Sequence, residues 1–324
     1  MSAFFNQLNG PYVSDASGNT TLGTFSSSGL LGQRGLNNTA VGYGALKVNP
    51  SGEHNTAIGL NALSKNAGNN NLAIGEDALY DWNSLPSQAQ AGNQNVAIGN
   101  NAMRHNATGS NNAAIGYNVL QANTTGDNNI ALGNQALFNN TGGSSNAVIG
   151  HNAMQTNTTG VNNIALGNQA LQANATGTQN VAIGVNALKG NTASDNNAAI
   201  GYNALQANTS GTNNVAIGTA ALQANVTGSA NVAIGANALK VNTVTNNAAI
   251  GYNALQANST GVANVAIGTA ALNANTIGSD NAAIGVNALF NNTTGTQNVA
   301  IGTSTLFNNT IGSDNAAIGF NALF

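Results

Sequence analysis

The sequence predicts an all-β chain: a parallel β-solenoid (β-roll) of about seventeen 17-residue coils. Three observations carry that expectation. The phrase Asn214-Val215-Ala216-Ile217-Gly218, followed by Ala221-Leu222 and Asn225, recurs with small changes from Thr39 to the last residue. Its closing glycine occurs seventeen times, from Gly42 to Gly319, mostly 17 residues apart, with two spacings of 16 and one of 24. Within each copy a short run such as Val-Ala-Ile alternates in size and is rich in β-branched residues, which favours a strand over a helix. A fixed short period of this kind marks one supersecondary unit stacked many times.

Positions are numbered here from the closing glycine as zero. Position −1 is Ile in fourteen copies and otherwise Val41, Leu132 or Leu166; position −2 is Ala in every copy but Val148. Position +4 is Leu or Met, +7 is Asn almost throughout, and +10 is usually Gly. Two apolar pieces separated by Asn/Thr/Gly corners predict a coil of two short strands. Seventeen coils stacked at a strand spacing of about 4.8 Å would give a rod of roughly 80 Å. One coil cannot stand alone, because burying a large aliphatic yields about 1.5–3 kcal/mol while ordering backbone costs about 1–2 kcal/mol per residue. The row of Ala at −2 predicts a surface that another chain approaches closely.

Position −3 tends to alternate between small and large, and +1 moves oppositely. Tyr117, His151, Tyr202, Tyr252 and Phe320 accompany Ala at −3, whereas Asn134, Asn168, Thr219, Thr269 and Thr303 accompany Ile or Val. Val181 with Val185 and Val232 with Ala236 depart from the tendency. Close packing demands such compensation of touching neighbours, so the −3 and +1 side chains are expected to meet.

Taken in order, residues 1–36 lie outside the repeat and are expected to form an N-terminal cap or docking segment, with the solenoid domain spanning 37–324. The third repeat carries an insertion at about 80–91, which includes Tyr80 and the single tryptophan, Trp82. Insertions in solenoids go to loops on one face, so Tyr80 and Trp82 are candidates for surface recognition of a host glycan or protein. The chain stops at Phe320-Asn321-Ala322-Leu323-Phe324, halfway through a coil. That predicts an open, apolar end at which Leu306, Phe320, Leu323 and Phe324 meet Phe4 and Phe5 of the next molecule in a head-to-tail filament.

Composition narrows the function classes. Only 5% of residues are charged, six basic and nine acidic, which argues against a nucleic-acid partner or an anionic membrane surface. The absence of cysteine removes disulfides, thiolate catalysis and thiolate zinc sites. The first residues have neither a basic start nor an apolar run, so no secretory signal is recognised, and no apolar stretch is long enough for membrane insertion.

Candidate chemistry is sparse. His54, His105 and His151 fall at different positions of different coils and do not stack into a metal cluster. Asp127, Asp195, Asp280 and Asp314 fall at corners, where carboxylates commonly bond their own backbone. Asn106, Asn123, Asn157, Asn174, Asn208, Asn225, Asn258 and Asn292 each begin an Asn-x-Ser/Thr sequon and are candidate glycosylation sites. The alternative for the same residues is a ladder of Asn side chains hydrogen-bonded from coil to coil. No catalytic constellation and no cofactor motif is found, so the chain is not expected to be an enzyme.

The repeats Asn180-Val181-Ala182-Ile183-Gly184, Asn197-Ala198-Ala199-Ile200-Gly201 with Tyr202-Asn203-Ala204-Leu205, and Asn231-Val232-Ala233-Ile234-Gly235 resemble the head repeats of trimeric autotransporter adhesins. They are also similar to repeats of phage and virus tail fibres. The resemblance spans residues 37–324 and implies a left-handed parallel β-roll, often trimeric, whose heads adhere to host surfaces. The repeat here is longer than in those heads, and no neck, heptad stalk or membrane-anchor barrel is seen. The functional expectation is a non-enzymatic structural protein that forms an extracellular or virion-surface fibre by end-to-end stacking of β-solenoid subunits. The alternative is a trimeric adhesin or tail-fibre head that binds a host surface or glycan.

Overall fold

The computed structural model describes residues 12–14, 18–23, 35–65, 68–80 and 92–324. It is all-β, a parallel β-solenoid, and it divides into two compact units, Met1–Val161 and Asn162–Phe324. Unit 1 holds β1 (Tyr12–Ser14), β2 (Thr20–Leu22), β3 (Thr39–Val41), β4 (Thr56–Ile58), β5 (Leu72–Ile74), β6 (Val96–Ile98), β7 (Ala113–Ile115), β8 (Ile130–Leu132) and β9 (Ala147–Ile149). Unit 2 holds β10 (Ile164–Leu166), β11 (Val181–Ile183), β12 (Ala198–Ile200), β13 (Val215–Ile217), β14 (Val232–Ile234), β15 (Ala248–Ile250), β16 (Val265–Ile267), β17 (Ala282–Ile284), β18 (Val299–Ile301) and β19 (Ala316–Ile318).

Each coil contributes one strand of three residues, positions −3 to −1, rather than the two strands expected. Successive strands pair in parallel without a slip, so that Ala198 lies on Val215, Ala199 on Ala216 and Ile200 on Ile217. The second apolar piece, Ala at +3 and Leu at +4, sits in a turn. Its backbone still bonds from coil to coil, as Leu222 N–H donates to Ala238 O at 3.0 Å and Ala220 N–H to Tyr202 O at 2.9 Å. A strand is ruled out there because positions +2 and +4 are left-handed: Ala220 has φ 56° and Leu222 has φ 50°. Asn tolerates that region and fills +2 in many coils; Leu does not, and its conformation costs about 1–2 kcal/mol. Full burial of the Leu222 side chain offsets this by about 1.5–3 kcal/mol.

The closing glycine makes the corner. Gly218 has φ 131°, and a Cβ there would stand 2.6 Å from the carbonyl carbon of Gly235 in the next coil. Only glycine fits both restrictions.

The repeat also begins earlier than expected. Asn19-Thr20-Thr21-Leu22-Gly23 is a further coil: β2 pairs in parallel with β3, and Asn38 N–H donates to Asn19 Oδ1 at 2.8 Å. β1 then pairs antiparallel to β2, Tyr12 opposite Leu22. The solenoid therefore reaches into the 1–36 segment, and an antiparallel strand covers its first parallel edge.

The interior of each coil is small and half polar. It takes Ala at −2 and +3, Leu or Met at +4, and two Asn, at −4 and +7. In the coil of β13 these are Ala216, Ala221, Leu222, Asn214 and Asn225, all fully buried. One long aliphatic and two amides fill the cross-section, which leaves room only for methyl groups beside them. The Asn at −4 form one ladder: Asn214 Nδ2 donates to Asn197 Oδ1 at 3.1 Å and to Gly228 O at 2.9 Å, while Asn231 N–H donates to Asn214 Oδ1 at 3.0 Å. The Asn at +7 form the second, as where Asn275 Nδ2 donates to Asn258 Oδ1 and to Gly278 O, both at 2.9 Å. Buried amides are tolerable because stacking on the neighbouring coils supplies most of their hydrogen-bond partners.

Candidate interaction face

The Ala row at −2 is not a surface. It points inward, and the larger residues at −3 and −1 point outward, so the interface expected at the Ala column is corrected to the opposite side of the same strand. The reason is the narrow interior just described. What faces outward is a parallel sheet whose central column is almost all Ile. Ile217 is 37% exposed, Ile200 38% and Ile267 38%. The −3 column lies on one flank of this face, with Ile130 and Ile164 prominent. The +1 column lies on the other, where Tyr202 is 55% exposed.

Isolated proteins leave contiguous apolar patches of about 300–600 Å² at most, and larger ones mark interaction sites. Unit 2 alone displays ten such strands, each with an aliphatic pair or an Ala–Ile pair outward. Charges are absent from positions −3 and −1 throughout the repeat. The −1 column is therefore aliphatic along each unit, with Thr20, Thr39 and Thr56 beside it at −3 in unit 1.

The other predicted site residues are placed as follows. Phe4, Phe5 and Trp82 lie outside the described residues. Tyr80 is half-buried, with the Arg104 guanidinium 5.9 Å from its ring centre, and Arg104 pairs with Asp77 at 3.3 Å. Leu306 is corrected from an assembly residue to an interior one, 4% exposed, because the +4 residue of a coil that has another stacked on it is enclosed. Phe320, Leu323 and Phe324 are exposed, and Phe290, Phe307 and Phe324 stack as a ladder with ring centres 5.2 Å apart.

The eight sequon asparagines are the +7 ladder. Asn123, Asn157, Asn174, Asn208, Asn225, Asn258 and Asn292 are fully buried and Asn106 nearly so. Their Nδ2 atoms, the atoms a glycan would need, donate inside the coil; Asn123 Nδ2, for example, bonds Asn106 Oδ1 at 2.6 Å and Gly126 O at 3.0 Å. The glycosylation assignment is corrected accordingly.

Two of the corner carboxylates bond between coils rather than to their own backbone: Asp127 Oδ1 accepts from Ser110 N–H at 2.7 Å and Asp195 Oδ1 from Thr178 N–H at 2.6 Å. His54 lies 3.3 Å from Asn37 Nδ2, and no three His, Asp or Glu converge on a metal site among the described residues. No helix among the described residues is long and apolar enough to cross a membrane.

Fold and face together define a β-solenoid repeat protein with one continuous apolar sheet face on each unit. No model of a known protein family matches the chain, and a search of curated proteins returns no match.

Proposed function

We propose that the protein is a non-enzymatic structural element that associates with copies of itself through the outward Ile/Val face. The observation that carries this reading is the exposed −1 column, aliphatic in every coil from Val41 to Ile318. A second copy is the natural occupant, because its face has the same period and the same absence of charge. Lateral association of this kind suits a fibre outside the cell or on a virion, the role that the adhesin-like and tail-fibre-like repeats imply. Exposed Phe320, Leu323 and Phe324 offer end-to-end contacts within the same reading.

Sedimentation equilibrium over a concentration series tests it. The wild-type chain is expected to sediment as a closed multiple of its 32.1 kDa mass or as longer assemblies at micromolar concentration. Substituting Ile200, Ile217 and Ile234 together by Asn should release monomers with an unchanged β-sheet circular dichroism spectrum. A wild-type chain that stays monomeric at all concentrations would remove the reading.

A further inference from the structure

We infer that the 16-residue coil between Gly235 and Gly251 is a built-in point of opening in unit 2. Its corner at 242–247 and the corner before it at 225–231 come apart while the strands beside them stay paired. None of these residues belongs to the outward sheet face, so the opening is independent of the self-association proposed above. A full-length coil puts five residues between its two interior Asn, as between Asn225 and Asn231; the short coil puts four between Asn242 and Asn247. The missing residue is not taken from the strand. β14 and β15 keep the common register, Val232 on Ala248 and Ile234 on Ile250, and Val232 N–H still donates to Asn247 O at 2.9 Å. The whole shortfall falls on the corner.

That corner keeps one anchor and loses others. Val244 O stands in for the carbonyl of the +10 glycine and accepts from Asn242 Nδ2 at 2.8 Å and Asn231 Nδ2 at 2.7 Å. The +7 ladder breaks beneath it. Asn242 turns its amide to Val244 and gives nothing to Asn225 Oδ1, the one ladder oxygen among the described residues that is buried without a partner. Asn247 Nδ2 likewise bonds Asn242 Oδ1 at 3.1 Å, whereas Asn264 Nδ2 in the next coil reaches back to Asn247 Oδ1 at 3.2 Å. The backbone shows the same gap. Between full-length corners, Thr276 N–H and Ile277 N–H donate to Thr293 O at 3.0 and 3.1 Å; Val226 and Thr227, at the same positions, make no such bonds to Thr243 O. A coil touches only the coils next to it, so a weak contact opens without unfolding the rest, and every buried bond that is missing lowers the cost of opening.

Limited digestion of the whole protein with thermolysin, which cuts before large aliphatic residues, separates opening from mere exposure. Ile277, in a full-length corner, is 53% exposed, more than Val226 and Val241 at 40% each. Exposure alone would therefore direct the first cut in unit 2 to Ile277. A protease needs a stretch of chain freed from its hydrogen bonds. With the short coil as the point of opening, the first cuts in unit 2 fall before Val226, Val241 or Val244, about tenfold faster than before Ile277, the equivalent of one or two lost bonds. Deuterium exchange read by mass spectrometry gives an independent measure. Peptides holding Asn225 and Asn242, whose N–H groups donate to Leu222 O and Leu239 O at 3.1 Å, should exchange faster by a similar factor than one holding Asn275, whose N–H donates to Leu272 O at 3.2 Å. Inserting Ser after Thr243 together with Val244→Gly should slow cutting before Val226 and Val241 about two- to tenfold and leave Ile277 unchanged, with the same circular dichroism spectrum. The wild-type comparison stands by itself if that variant fails to fold. First cuts at Ile277, or exchange at Asn242 no faster than at Asn275, would overturn the inference.

Discussion

The two faces of one three-residue strand obey different rules. Inward, position −2 is Ala in sixteen of seventeen copies, and the Asn at −4 and +7 scarcely vary. Outward, the −3 and +1 residues change from coil to coil, while −1 stays aliphatic. The difference teaches what each face answers to. An inward residue meets its own image in the coils above and below, so one solution repeats, fixed by a cross-section that admits two amides, one long aliphatic and little else. An outward residue also lies over its counterpart in the next coil but has solvent on its free side, so its size is not fixed by an enclosed volume.

Substitutions on the two faces should therefore separate folding from association. The largest loss of folding stability is expected for Asn214→Ala. It strands Asn231 N–H inside the coil, at about 1–3 kcal/mol, and removes the two hydrogen bonds that Asn214 Nδ2 donates, about 0.5–1.5 kcal/mol each, so urea unfolding should report a loss of about 2–6 kcal/mol. Gly218→Ala comes next. Its Cβ meets the Gly235 carbonyl at a φ that Ala adopts only under strain, and a loss of about 1–3 kcal/mol is expected from the backbone conformation alone. Outward, Ile217→Asn should leave the unfolding free energy within about 0.5 kcal/mol of wild type while weakening association in sedimentation experiments. Equal losses of stability from Asn214→Ala and Ile217→Asn would erase the distinction between the faces.

The smallest effect is a gain. The coil ending at Gly251 has 16 residues, and its Asn242 bonds Val244 O two residues on, where full-length coils reach a carbonyl three residues on. Asn225 Oδ1 below it is left without a partner. Inserting Ser after Thr243 together with Val244→Gly gives the full-length corner seen at Asn208-Thr209-Ser210-Gly211. That change should raise stability by about 0.5–1.5 kcal/mol, one buried hydrogen bond, read as a shift in the urea midpoint.

Much of this was legible in the residues. The 17-residue period gave the solenoid, the alternation within Val-Ala-Ile gave a strand, and Asn at +7 suggested a ladder before any coordinates. The coil at Asn19-Thr20-Thr21-Leu22-Gly23 was also readable, since it keeps the Asn at −4 and the aliphatic before Gly, but Thr in place of Val-Ala hid it. Other features were not readable. The Ala-Leu piece has the composition of a strand, and only the left-handed φ at +2 and +4 shows that it is a turn. A sequon reads the same whether its Asn is exposed or inside a coil.

By itself, then, the sequence determined the repeat, its parallel stacking and the division of each strand into two faces, because period and alternation are properties of the chain order. Only the tertiary structure decided which face is inside. Alternation names two sides without labelling them, and the label depends on how much volume the closed coil encloses. That volume is set by the turns at Gly218, Ala220 and Leu222 acting together. It is small enough that Ala goes in and Ile stays out.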